Sequence, residues 1–66
     1  MEPTARYAGE RNGYSIKVYE YTNKGKQRFG SKVVSLTTGN SAQFPGWTMY
    51  KTALEVAQEA ADKALI

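Results

Sequence analysis

The chain has 66 residues, a net charge of +3, and neither cysteine nor histidine. That length holds one small domain with a marginal core, and the two missing residue types remove disulfides, thiolate metal sites, the commonest metal ligand and the usual near-neutral acid–base group. No apolar run approaches the roughly 20 residues of a membrane span and no leader pattern follows Met1, so the expectation is a cytoplasmic protein, not an enzyme, without metal, cofactor or membrane partner.

Charge divides unevenly along the chain. Residues 1 to 32 carry Arg6, Arg11, Lys17, Lys24, Lys26, Arg28 and Lys32 against Glu2, Glu10 and Glu20, whereas the second half is slightly acidic. If the basic half forms a sheet and the acidic half a helix, one side of the molecule is cationic and attracts polyanions.

The first strand is expected at about 4–11, because Asn12-Gly13 is the strongest short hairpin signal and Tyr14 to Thr22 alternates as a half-buried strand. Tyr14, Ile16, Val18 and Glu20 take one side, and Ser15, Lys17, Tyr19 and Tyr21 the other. A two-residue Asn12-Gly13 loop sets Tyr7 opposite Val18, Arg6 opposite Tyr19 and Ala8 opposite Lys17. Thr22-Asn23-Lys24-Gly25-Lys26 is a second turn, with Gly25 suited to a left-handed conformation. A third strand follows at about 27–36 in one of two registers. A three-residue loop pairs Tyr19 with Phe29, while a four-residue loop pairs Ile16 with Val33 and turns Phe29 inward; a bulge at Gly30 could reconcile the two. Thr37 to Ser41 is polar loop, Phe44-Pro45-Gly46-Trp47 fits a type II turn, and Ala42 to Phe44 leaves room for a fourth strand.

The last element is an amphipathic helix at about 49–65. Ala53, Leu54, Val56, Ala57, Ala60, Ala61, Ala64 and Leu65 fill one half of the cylinder and the polar residues fill the other. Thr52-Ala53-Leu54-Glu55 has capping-box spacing, although a start near Thr48 also continues the apolar face through Met49 and Tyr50. Small residues along that face let the helix sit close to a sheet. The expected fold class is α+β, a single domain in which a three- or four-stranded antiparallel meander is backed by one carboxy-terminal helix.

Three surfaces could carry chemistry. Arg6, Lys17, Tyr19 and Tyr21 alternate with core residues and, joined by Arg28 or Lys32, would share the free sheet face, where cations meet phosphates and tyrosine rings stack on bases. The plainer reading of that face is a solvated surface with an Arg6–Tyr19 cation–π pair of about 0.5–1 kcal/mol. The tip Asn23-Lys24-Gly25-Lys26 with Arg28 could enter a groove, or simply guard an edge. The segment 37–47 lacks the spacing of a phosphate-binding loop, and its Phe44 and Trp47 either cap the core or anchor a protein partner. Glu55 and Glu59, four apart on the helix, could hold a divalent cation, but solvated helix acids are the commoner case.

The layout resembles the three-strands-then-helix DNA-binding domains at the amino terminus of phage-type tyrosine integrases and in plant ethylene-response factors. Ala5 to Arg11, Gly13 to Val18 and Phe29 to Leu36 stand where their strands lie, and Ala53 to Ala64 is similar to their backing helix. The resemblance implies a sheet face that enters the major groove, carried here by Arg6, Arg11, Lys17, Tyr19 and Lys32. The long connection between Leu36 and Thr52 and the lower arginine density depart from that pattern. A weaker likeness is to dimeric single-stranded-DNA-binding coactivators. The expected function is therefore a small DNA- or RNA-binding module using Arg6, Arg11, Lys17, Tyr19, Tyr21, Lys24, Lys26, Arg28 and Lys32. The alternative is a protein-interaction module or a phage- or plasmid-type inhibitor, or a homodimer, anchored by Tyr19, Tyr21, Phe44 and Trp47.

Overall fold

A computed structural model describes residues 3–66. Four strands, β1 (Thr4–Arg11), β2 (Tyr14–Asn23), β3 (Lys26–Ser35) and β4 (Ser41–Trp47), form one antiparallel sheet in the order β1-β2-β3-β4, followed by the helix α1 (Tyr50–Asp62). The α+β meander is thus four-stranded. No helix among the described residues is long and apolar enough to cross a membrane.

Local chemistry accounts for most of the path. Asn12 and Gly13 both take positive φ, 53° and 81°, as a type I′ turn demands, and the hairpin they close pairs Tyr7 with Val18 and Ala8 with Lys17. The second hairpin turns tightly on Lys24 and Gly25 and pairs Ile16 with Val33, which is the inward-Phe29 register. Phe29 accordingly lies edge-on to Tyr50 at the start of the helix, with ring centroids 6.2 Å apart.

Three expectations are corrected by backbone irregularities. Arg6 does not face Tyr19: Ala5 does, and Arg6 is the extra residue of a bulge between Ala5 and Tyr7. Gly30 is not itself a bulge, since the irregularity lies opposite it in β4, between the pairs Ser31–Phe44 and Phe29–Trp47. Pro45 and Gly46 fill that bulge instead of closing a type II turn. An edge strand tolerates the missing amide of a proline, and Gly46 takes a φ of 91° that few other residues adopt. The extra residue keeps Phe44 and Trp47 on the same, helix-facing side.

The core lies between α1 and that side. Ile16, Val18 and Val33 are fully buried beneath Ala53, Ala57, Ala60 and Ala61, with Tyr14 beside them and Phe44 and Ile66 packed at the margin. Buried Ser31 sits among them with no partner for its hydroxyl. The helix packs mainly across β2 and β3 and touches β1 least.

The helix begins where the expected span of about 49–65 places it, but its amino-terminal cap and its carboxy-terminal end differ from expectation. Met49 is the N-cap and makes no side-chain cap, so Thr52-Ala53-Leu54-Glu55 lies inside the helix and forms no capping box. The earlier start lets Tyr50 reach Phe29. At the other end the helix stops at Asp62 because Ala64 turns left-handed, with φ 51°. The Leu65 amide then donates to the Ala60 carbonyl (3.0 Å) and the Ala64 amide to the Ala61 carbonyl (3.2 Å), a Schellman closure. That closure leaves Leu65 exposed and brings Ile66 back, so that Tyr14 Oη donates to its carbonyl at 2.9 Å.

Candidate nucleic-acid interface

Strand alternation sorts the charges onto two sides of the sheet. Facing the helix, Arg6 pairs with Glu20, which also accepts from Gln27, and these contacts hold the Glu20 carboxyl below its usual range, the Gln27 hydrogen bond contributing most. Arg11 grips Asp62 with two bonds, Nε to Oδ1 at 2.7 Å and Nη2 to Oδ2 at 2.9 Å. That grip lowers the Asp62 pKa and raises that of Arg11, mainly through the hydrogen bonds. Beside it, Asn12 Nδ2 donates to the Ala61 carbonyl at 2.8 Å, fastening the first hairpin to the end of the helix. Arg6 and Arg11, both expected on the binding face, are therefore tied to carboxylates on the opposite side.

The open side is different. Lys17 stands directly opposite Lys32, Tyr21 opposite Arg28, and Asn23 opposite Lys26, all on the face away from α1. Among the described residues, four ion pairs form: Arg6–Glu20, Arg11–Asp62, Lys51–Glu55 and Lys63–Glu59. None involves Lys17, Lys24, Lys26, Arg28 or Lys32. Among the described residues Arg28 donates only to the neighbouring Gln27 carbonyl, and Glu10 is the acid of theirs that alternation places on this face. Lys24, Lys26 and Arg28 occupy the end of the second hairpin. This end runs past the last pairs made with β1 (Thr4–Glu20) and β4 (Phe29–Trp47), so it projects as a two-stranded basic ribbon.

The tyrosines of this face are held in place. Tyr19 and Tyr21 lie side by side, with centroids 5.9 Å apart and rings tilted by 40°, and Tyr21 Oη accepts from the Gly46 amide at 2.8 Å. Tyr19 covers Gly30, whose missing side chain makes room for the ring. Partial burial, and next the proximity of Tyr21, raise the Tyr19 pKa above its ordinary value. Next to Tyr19 the sheet dips into an open concavity of about 330 Å³ bounded by Pro3, Ala5, Lys17, Tyr19 and Gln43. Gln43 was not anticipated, because a strand over Ala42 to Phe44 leaves its register open, and only the pairing with β3 sets Gln43 opposite Lys32 on this face. The seat of Tyr19 on Gly30 was open to inference once Ile16 was paired with Val33.

The remaining candidates scatter. Phe44 and Trp47 face the helix while Tyr19 and Tyr21 face away, so the four aromatic anchors do not form one surface. Glu55 is engaged by Lys51 and Glu59 by Lys63, and no cluster of metal-ligating side chains occurs among the described residues. A second concavity, on the helix side, is lined by the Arg6–Glu20–Gln27 network with Phe29 and Tyr50. Comparison with protein-family models, curated proteins and solved structures finds no match, and the likeness to integrase and ethylene-response domains rests on layout alone.

Proposed function

We propose that the protein is a nucleic-acid-binding module that uses the open face of its sheet. The observation that carries this reading is the pair Lys17–Lys32. Like charges directly opposite on adjacent strands destabilise a sheet, so their presence with no carboxylate paired to them among the described residues makes sense if a polyanion supplies the counter-charge. Lys26 and Arg28 extend the same cationic surface and Lys24 ends it at the ribbon tip. Lysine and arginine here would neutralise phosphates, which fix orientation without reading sequence. A cytoplasmic location belongs to the same proposal.

The test is a titration of a labelled mixed-sequence oligonucleotide at about 50 and 200 mM salt. Affinity should fall steeply as salt rises, because each neutralised phosphate releases condensed counterions. Absence of binding to both DNA and RNA at the lower salt would discard the reading and favour a protein partner.

A further inference from the structure

We infer that the concavity beside Tyr19 is a base-stacking subsite that selects single-stranded over duplex nucleic acid, an inference that rests on the nucleic-acid reading above. A Cβ built on Gly30 would lie 2.7 Å from each of three atoms of Tyr19, Cε2, Cζ and Oη. A point equally far from three adjoining coplanar atoms, at a distance larger than their mutual spacing allows within the plane, lies above that plane. The glycine therefore lies below the ring plane, under the hydroxyl-bearing edge of Tyr19, and the opposite face of the ring is turned away from it.

Its neighbours fix that posture and complete the subsite. Tyr21, anchored through its hydroxyl to the β4 bulge, walls one side of the ring. On the other side the concavity opens, with Lys17 and Gln43 in its lining and Lys32 between their strands. A nucleobase stacked on Tyr19 would have an amide donor and acceptor within the same hollow and cations for the flanking phosphates. Bases inside a duplex offer only their edges, since their π faces are covered by neighbours. Only an unstacked base can use the outward face of this ring.

The experiment compares a fluorescently labelled oligonucleotide of about 16 nucleotides, single-stranded and annealed to its complement, by anisotropy. The wild-type protein should bind the single strand more tightly than the duplex. Tyr19→Leu keeps Gly30 covered but has no aromatic face, and it should weaken single-strand binding roughly five- to hundredfold with little change for the duplex. Tyr19→Phe should bind like wild type, and Gly30→Ala, which must push the ring off its seat, should weaken single-strand binding while retaining the tyrosine. Equal binding of the single strand by Tyr19→Leu and wild type, or a wild-type preference for duplex, would overturn the subsite while leaving the nucleic-acid reading intact. Failure of wild-type protein to bind either form would remove that reading as well. The wild-type preference decides the question even if a variant does not fold.

Discussion

The two sides of this sheet handle charge in opposite ways. Toward the helix, Arg6 meets Glu20 and Arg11 meets Asp62, and the space between them is closed by Ile16, Val18 and Val33 under a row of alanines. Away from the helix, Lys17 confronts Lys32, no carboxylate among the described residues answers Lys26 or Arg28, and the tyrosines are braced by backbone at Gly30 and Gly46. Stability is thereby concentrated on one side. The other side is ordered by it and carries an arrangement that the fold alone does not require.

Substitutions on the two sides should separate accordingly. The largest effect is expected for Ile16→Ala, which empties space under Ala57 and Ala60 and should cost about 2–5 kcal/mol. In a domain this small that approaches the whole stability, so the urea transition followed by circular dichroism should move close to zero denaturant. A gain is available at the end of the helix: Ala64→Gly relieves the left-handed conformation and should stabilise by about 1 kcal/mol, raising the melting temperature by about 4–8 °C.

Acid should weaken the helix side selectively. The folded-state pKa values of Glu20 and Asp62 are depressed, so their contribution is complete above the unfolded carboxylate range near pH ~4 and is lost as pH falls through the folded values. Because Arg11 and Asp62 are both exposed and the half-buried Glu20 pairs with an exposed Arg6, solvent screens both ion pairs and the loss is small. Asp62→Asn should flatten the acid limb of a stability–pH curve, and an unchanged limb would mean that the Arg11 grip is not maintained in solution. Smallest of all is the effect of Lys17→Ala with Lys32→Ala on folding. Removing two opposed like charges should leave the urea midpoint unchanged or slightly raised, within about 0.5 kcal/mol.

Much of the helix side was legible in the residues. Asn12-Gly13 announced its turn, the alternation of Tyr14 to Tyr21 assigned faces, and the alanine row from Ala53 to Ala61 marked the seam against the sheet. What was not legible came from contacts between distant residues. The bulge at Arg6 has no glycine or proline to signal it, and it turns Arg6 toward Glu20. Pro45-Gly46 read as the end of an element because the same pair serves a turn and an edge-strand bulge. Thr52 lost its capping role once Tyr50 packed on Phe29, and Leu65 left the apolar face because Ala64 closes the helix one turn early. On the open face, Lys17, Tyr19 and Tyr21 were placed together by strand alternation alone, whereas Arg28 and Lys32 join them only in the register that pairs Ile16 with Val33. Gln43 entered only with the fourth strand.

The distinction between the faces is tested most directly by removing two positive charges from each in turn. Lys17→Ala with Lys32→Ala and Lys51→Ala with Lys63→Ala lower the net charge equally, and the dependence of oligonucleotide affinity on salt would be measured for both and for wild type. Each lost phosphate contact should reduce the slope of log affinity against log salt by about 0.7 for a single strand, so the sheet pair should flatten it by about 1.4 while the helix pair leaves it near the wild-type value. Equal flattening by both pairs, or flattening by the helix pair alone, would contradict the account.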